Sequence, residues 1–180
     1  MSYYGQSAQD YFVEAITTRK QDGYFLEIGS NHPITNNNTY MLEQKYNWKG
    51  LMVEYDKSFE PLYKTHRPNS IYKLDDARKI NYRDVLDTHL FPTNIDYLSF
   101  DLDVDNKSTL DTLILLNDTV FDKYKFATIT FEHDIYTGNY FDTQQISRKI
   151  LLDRGYELVF PNVSVWWEGL YKPYEDWYVH

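Results

Sequence analysis

Residues 23–33, GYFLEIGSNHP, contain a short apolar run that opens after Gly23 and stops at Gly29. Aromatic and branched side chains over 24–29 predict a buried strand. Gly29 then lets the chain turn tightly and pass close to whatever lies beyond the strand tip, because it has no Cβ. The same unit recurs along the chain. Gly50 opens a second buried strand, LMVEY (51–55), and IYKL (71–74), IDYLSFDL (95–102), KFATITFEH (125–133), YELVF (156–160) and DWYVH (176–180) supply five more. Helix-length segments stand between the first six. TYMLEQKY (39–46) follows three Asn that can cap it, and 58–66 has Asp56 and Ser58 as caps with Pro61 in its first turn. A further helix is predicted around 80–90. Ser108 and Asp111 read as a capping box ahead of LDTLILLNDTVF, and 143–154 puts Ile146, Ile150 and Leu151 on one side and ends at Gly155.

Strands alternating with helices predict parallel β-α-β units, hence an α/β sheet with helices on both faces. No helix separates the last two strands. The segment between them, 161–175 with Pro161, Gly169 and Pro173, reads as irregular and leaves the final pair antiparallel. The outline is a Rossmann-like, doubly wound sheet of about seven strands with the last antiparallel.

At 180 residues the chain has room for one domain, read as 1–180 with an amino-terminal helical segment over 1–22. Apolar residues make up 42% and charged residues 25%, so a full core is available; aromatics at 18% exclude a disordered acidic segment. A formal net charge of −9 disfavours nucleic acid and anionic membrane as partners. The start MSYYGQSAQDYF has neither a basic patch nor an apolar stretch, and no run is long enough to span a bilayer, which predicts a cytoplasmic protein. With no cysteine, disulfides, thiolate metal sites and cysteine nucleophiles are excluded.

In open α/β sheets ligands bind beyond the carboxyl ends of the strands. The first five strands all end in carboxylates there: Glu27; Glu54 and Asp56; Asp75 and Asp76; Asp101 and Asp103; Glu132 and Asp134, with His133 between the last two. Any one of them reads more readily as a helix cap or a solvated loop charge, but five tips along one rim define a groove. That groove lacks the glycines of a dinucleotide fingerprint, since Ser30, Asn31, His32 and Pro33 follow Gly29, and no P-loop occurs. An acidic rim repels pyrophosphate. It suits a ligand with ribose, adenine and positive charge, and S-adenosylmethionine meets that description. Glu54 is placed to accept from ribose hydroxyls.

The chain resembles the FkbM-type family of S-adenosylmethionine-dependent methyltransferases. The resemblance runs through SAQD (7–10), GYFLEIGSNHP (23–33), NNTYMLEQKYNWKGLMVEYD (37–56), DYLSFDLD (96–103), FEH (131–133), RKILLDRGYELV (148–159) and EDWYV (175–179). It implies a methyltransferase sheet that transfers the donor's methyl group to a hydroxyl of a small molecule, a sugar or glycan first among them. It further implies that Glu27, Gly29, Ser30 and Asn31 line the methionine and ribose, Glu54 the ribose hydroxyls, and Asp75 or Asp76 the adenine amine. Asp101 would lie under the sulfonium, with Gln9 and Asp10 closing the donor pocket. Relatives commonly carry Asp-Val-Glu-Gly where this chain has Asp101-Leu102-Asp103-Val104, a departure on the acceptor side.

Candidate bases for the acceptor proton are His133, Asp103 and Glu132. By analogy with macrolide sugar O-methyltransferases that hold a divalent ion, Asp101, Asp103, Glu132 and Asp134 form a candidate magnesium site. Trp166, Trp167 and Tyr171 read as a sugar-stacking surface, a satellite core or a contact in a homo-oligomer. Three alternative readings stand beside the enzyme: a non-catalytic scaffold with this fold, an NAD-dependent oxidoreductase that the missing glycines disfavour, and a metal-dependent hydrolase.

Overall fold

A computed structural model describes residues 2–180. Its sheet has seven strands: β1 (Tyr24–Ile28), β2 (Lys49–Glu54), β3 (Ile71–Leu74), β4 (Asn94–Phe100), β5 (Lys125–Glu132), β6 (Glu157–Trp167) and β7 (Leu170–Val179). Their spatial order is β3-β2-β1-β4-β5-β7-β6. The first five strands are mutually parallel, and β7 runs antiparallel to both its neighbours.

Strand alternation divides the core in two. Leu26, Ile28, Leu51, Val53, Leu98 and Phe100 point to one face, where α4 (Tyr82–Thr88), α5 (Ser108–Thr119) and α6 (Phe141–Asp153) bring Leu86, Leu113 and Leu151. Phe25, Met52 and Tyr97 point to the other. There α1 (Gln9–Ile16), α2 (Tyr40–Tyr46) and α3 (Glu60–His66) bring Phe12, Leu42 and Tyr63. Helices therefore cover both faces, as the alternation in the sequence predicts.

Side-chain caps set several helix starts. Asn37 Oδ1 accepts from the backbone N–H groups of Thr39 and Tyr40 at the head of α2, and Asn81 does the same for Asp84 in α4. The expected Ser108/Asp111 capping box is not made. Lys107 occupies the N-cap with φ 62°, and the Ser108 hydroxyl instead donates to the carbonyl of Asp103 at 2.9 Å, tying down the loop after β4. Gly155 does close α6 in the left-handed conformation (φ 88°), but Ile146 on that helix faces solvent.

The largest correction concerns 161–175. Instead of an irregular link, β6 and β7 form a long hairpin turning at Glu168 and Gly169, with bulges around Phe160 and Val163 that accommodate Pro161 on an edge strand. β5 pairs only with residues 175–179 of β7. The remainder of the hairpin is thus a two-stranded arm reaching past the carboxyl end of β5. It carries Trp166 and Tyr171, 58% and 73% exposed, stacked edge to face at 4.8 Å. No helix among the described residues is long and apolar enough to cross a membrane.

Candidate functional site

The strand order reverses between β1 and β4, which leaves a crevice beyond their carboxyl ends. A cleft of about 1110 Å³ lies there. Gly29, Asn31 and His32 wall it after β1, Glu54 and Tyr55 after β2, and Asp76 and Arg78 after β3. The loop 101–106 walls it after β4, and Glu132 and Asp134 after β5.

Backbone geometry draws this wall tight. Gly29 has φ +85°, and a Cβ built there would stand 1.8 Å from the carbonyl oxygen of Asp101. Its close approach is therefore to the neighbouring strand tip, which the Asp101 N–H bond to Ile28 O (2.9 Å) holds against β1. Glu54 is oriented by three backbone donors. Oε2 accepts from Asn31 N–H at 2.7 Å, and Oε1 accepts from Tyr55 and Asp56 N–H, each at 2.8 Å. A carboxylate has about four acceptor positions, so some capacity remains for a ligand hydroxyl.

Asp76 is clamped by Arg78 at 2.9 and 2.8 Å, and that guanidinium holds its carboxyl down at about 2. Across the cleft the situation reverses. Burial, then the adjacent Asp101 carboxylate, push the Glu132 carboxyl well above the ordinary carboxylate range. Burial also raises Asp134.

Of the residues read from the sequence as donor-binding, Gly29, Asn31, Glu54, Asp76 and Asp101 line the cleft. The others stand elsewhere. Glu27 is on the opposite pleat from Ile28 and so faces α2. There it is buried, accepts from Asn37 Nδ2, Asn38 N–H and Thr39 Oγ1, and lies 4.0 Å from Arg67. Burial raises its carboxyl to about 7. Ser30 is buried against Val53 O and the Tyr63 hydroxyl, and Asp75 lies outside the cleft wall with its carboxylate on the Asp76 N–H. Gln9 and Asp10 are buried too. They anchor the amino-terminal segment, Gln9 Nε2 donating to the Tyr174 hydroxyl at 2.7 Å and Asp10 accepting from Tyr4 N–H at 2.6 Å. It is Gln6, which the sequence did not single out, that reaches the cleft.

Among the candidate bases, Asp103 and Glu132 line the cleft and His133 does not. His133 is 0% exposed, with Nε2 at 3.4 Å from Asp176 and 3.3 Å from Gln144 Nε2. Burial opposes ionisation of Asp176, but hydrogen bonds from His133 and Arg148 outweigh it and bring the carboxyl to about 2. This group fastens α6 and β7 to the end of β5. The four expected magnesium ligands, Asp101, Asp103, Glu132 and Asp134, all border the cleft. Yet no three acidic or histidine side chains among the described residues are arranged to hold a metal ion, so the magnesium site is not supported.

Arg67 also escaped the sequence reading, because a lone arginine past a short helix gives no signal. Fully buried, it donates to Glu43, Pro33 O, Asn37 and Thr39, and so pins the loop that follows β1 to α2.

This fold matches solved structures over nearly its whole length. A TehB-like SAM-dependent methyltransferase from Corynebacterium glutamicum superposes with a TM-score of 0.58 at 12% identity, over 99% of this chain and 88% of the other. The fold is that of the class I methyltransferases. A precorrin-6y C5,15-methyltransferase from Geobacter metallireducens gives 0.57 at 13% identity over 95% and 87% of the two chains. For a methyltransferase from Pyrococcus furiosus the values are 0.53 and 12%, over 96% and 82%. No family model and no curated protein matches the chain, so the comparisons support this fold and not the FkbM-type family in particular.

Proposed function

We propose that the chain is an S-adenosylmethionine-dependent methyltransferase acting on a hydroxyl of a small molecule, a sugar or glycan being the class that its resemblance to the FkbM-type family implies. The observation that carries this reading is the charge of the cleft. Glu54, Asp101, Asp103, Asp105, Glu132 and Asp134 face it, while its single arginine is tied to Asp76. Such walls reject phosphates and accept an adenosine that bears a cationic sulfur.

The donor, when bound, supplies a methyl group on a positively charged sulfur that an oxygen nucleophile can displace. The chain's own residues have three tasks. Glu54, fixed by its backbone donors, receives ribose hydroxyls, and the exposed ring of Tyr55 stands beside it as a face for the base. Gly29 and the backbone of Asp101 set the width of the cleft between them. Glu132 or Asp103 accepts the acceptor's hydroxyl proton as the new O–C bond forms. Holding the reactants in line can by itself contribute about 7–11 kcal/mol to such a displacement.

Thermal-shift and calorimetric titration with S-adenosylhomocysteine tests the reading. Binding should raise the melting temperature, the stabilisation growing with the logarithm of ligand concentration over Kd. Absence of both heat and shift at millimolar ligand would refute it.

A further inference from the structure

The cleft has one wall that no strand tip supplies. Gln6, on the segment ahead of α1, lines it at the β5 end together with Glu132 and Asp134. The same three residues border a second, smaller cavity of about 180 Å³, whose far side is Trp167 and Lys172 of the β6–β7 arm.

A tight turn presents the Gln6 side chain. Ala8 N–H donates to Gly5 O at 3.2 Å, Ser7 N–H to Gln9 Oε1 at 2.9 Å, and Tyr4 N–H to Asp10 Oδ2 at 2.6 Å. Gln9 and Asp10 are buried, and Gln9 Nε2 is fixed on the Tyr174 hydroxyl at 2.7 Å. A Cβ at Gly5 would stand 2.7 Å from Gln9 Oε1 and 3.1 Å from both Asn38 Oδ1 and Asp10 Oδ1, so the turn rests directly on a floor of three oxygens. Gln6 itself is exposed, and its carboxamide makes no hydrogen bond among the described residues.

S-adenosylmethionine brings a need that acidic walls leave open. Besides its sulfonium and ammonium it carries a carboxylate, which requires N–H donors. With the ribose on Glu54 after β2 and the base beside Tyr55, the amino-acid end runs the other way along the rim, past Gly29 and Asp101 toward β5. The nearby cations are already engaged. Arg78 is bound by Asp76 at 2.8 Å on the β3 side, and Lys172 by Glu168 at 3.1 Å, with Nζ seated 5.3 Å from the centroid of the Tyr136 ring. The Gln6 amide offers two N–H donors at the β5 end of the cleft.

We propose that Gln6 is a binding residue for the methyl donor, its Nε2 donating to the carboxylate at the amino-acid end of S-adenosylmethionine. The amino-terminal turn is then the element that sets where that end of the donor lies. This role rests on the methyl-transfer reading.

S-adenosylhomocysteine and methylthioadenosine share the adenosine and the sulfur, and only the first has the amino-acid end. Calorimetric titration of both into wild type, Gln6→Ala and Gln6→Glu separates the two halves of the ligand, and the exposed position leaves the core of both variants intact. Gln6→Ala should weaken S-adenosylhomocysteine about tenfold and leave methylthioadenosine within about twofold of wild type. Gln6→Glu sets a carboxylate against a carboxylate and should cost S-adenosylhomocysteine at least as much, again without effect on methylthioadenosine. Gly5→Ala, which pushes the turn off its floor, should reproduce the Gln6→Ala pattern. Equal losses for both ligands, no loss for either, or tighter S-adenosylhomocysteine binding by Gln6→Glu, the sign of an ammonium at this position, would each overturn the role of Gln6. A wild type that binds neither ligand would refute the methyl-donor reading itself.

Discussion

Replacing Gly29 with alanine strikes the close backbone approach between the two central strand tips. The new Cβ would stand 1.8 Å from the Asp101 carbonyl oxygen and 2.6 Å from its carbon, where ordinary contacts begin near 3.4 Å. Three costs follow. The positive φ of +85° is worth about 1–2 kcal/mol for an L side chain. Forcing a methyl into a filled space costs about 1–3 kcal/mol more. Moving the Asp101 backbone away weakens its hydrogen bond to Ile28 O, at about 1 kcal/mol. The total is about 3–6 kcal/mol, a fall in Tm of roughly 6–24 °C for a chain of this size. Gly138→Ala is the matched control. Its φ of +79° is nearly the same, but nothing lies within 4 Å of the added Cβ, so only the conformational cost of about 1–2 kcal/mol applies. Urea denaturation of both variants beside the wild type measures the difference. Equal losses, to within about 0.5 kcal/mol, would show that the Asp101 carbonyl does not confine residue 29 and that the cleft is not built on this contact.

Other outcomes follow from the same geometry. Glu54→Ala should weaken S-adenosylhomocysteine binding by about 1–3 kcal/mol in calorimetry, through loss of charge-assisted bonds to the ribose; unchanged affinity would place the ribose elsewhere. Arg67→Met leaves Glu43 and Glu27 buried without their guanidinium and should destabilise by about 3–5 kcal/mol in the same urea assay, whereas a loss below about 1 kcal/mol would refute the network's role. Burial raises Glu27 to about 7 and Glu175 to about 8, so the folded chain keeps protons that the unfolded chain releases near 4.5. Stability should therefore fall as pH rises from about 4.5 to 8, by at most ~1.4 kcal/mol per pH unit per group, and Glu175→Gln should flatten that slope. Asp176 works the other way: its contribution is complete above its unfolded value of 3.8 and is lost as pH drops toward 2, which acid titration of the fold would detect.

The parallel part of the sheet was legible because its strands are buried on both faces and leave continuous apolar runs, such as YFLEI and LMVE, bounded by glycine or acidic residues. The ends of the antiparallel β6–β7 pair were legible too, but its projecting part was not. Its strands are an edge and a projecting arm, with Pro161, Pro173 and mixed polarity where a buried strand would show alternation, so nothing local marks 161–175 as extended. Ser108 misled for a related reason. A hydroxyl three residues ahead of an acid fits a capping box, but the tight turn through Lys107 gave it a better acceptor in Asp103.

In the candidate site, residue type and chain order were enough to mark the rim, because a turn after each parallel strand must fall on the same edge of the sheet. They could not say on which side of a strand a tip residue falls once packing intervenes. Glu27 and His133 share the sequence context of Glu54 and Glu132, yet the pleat turns Glu27 toward Asn37 and Arg67, and α6 with β7 encloses His133. Periodicity, glycine positions and carboxylate spacing are properties of neighbours in the chain, so the sequence alone determined the α/β order and the acidic edge. Which carboxylates stay in the cleft, which are walled off with an arginine, and the arm that adds a second cavity depend on contacts between segments tens of residues apart. Only the folded chain brings those together.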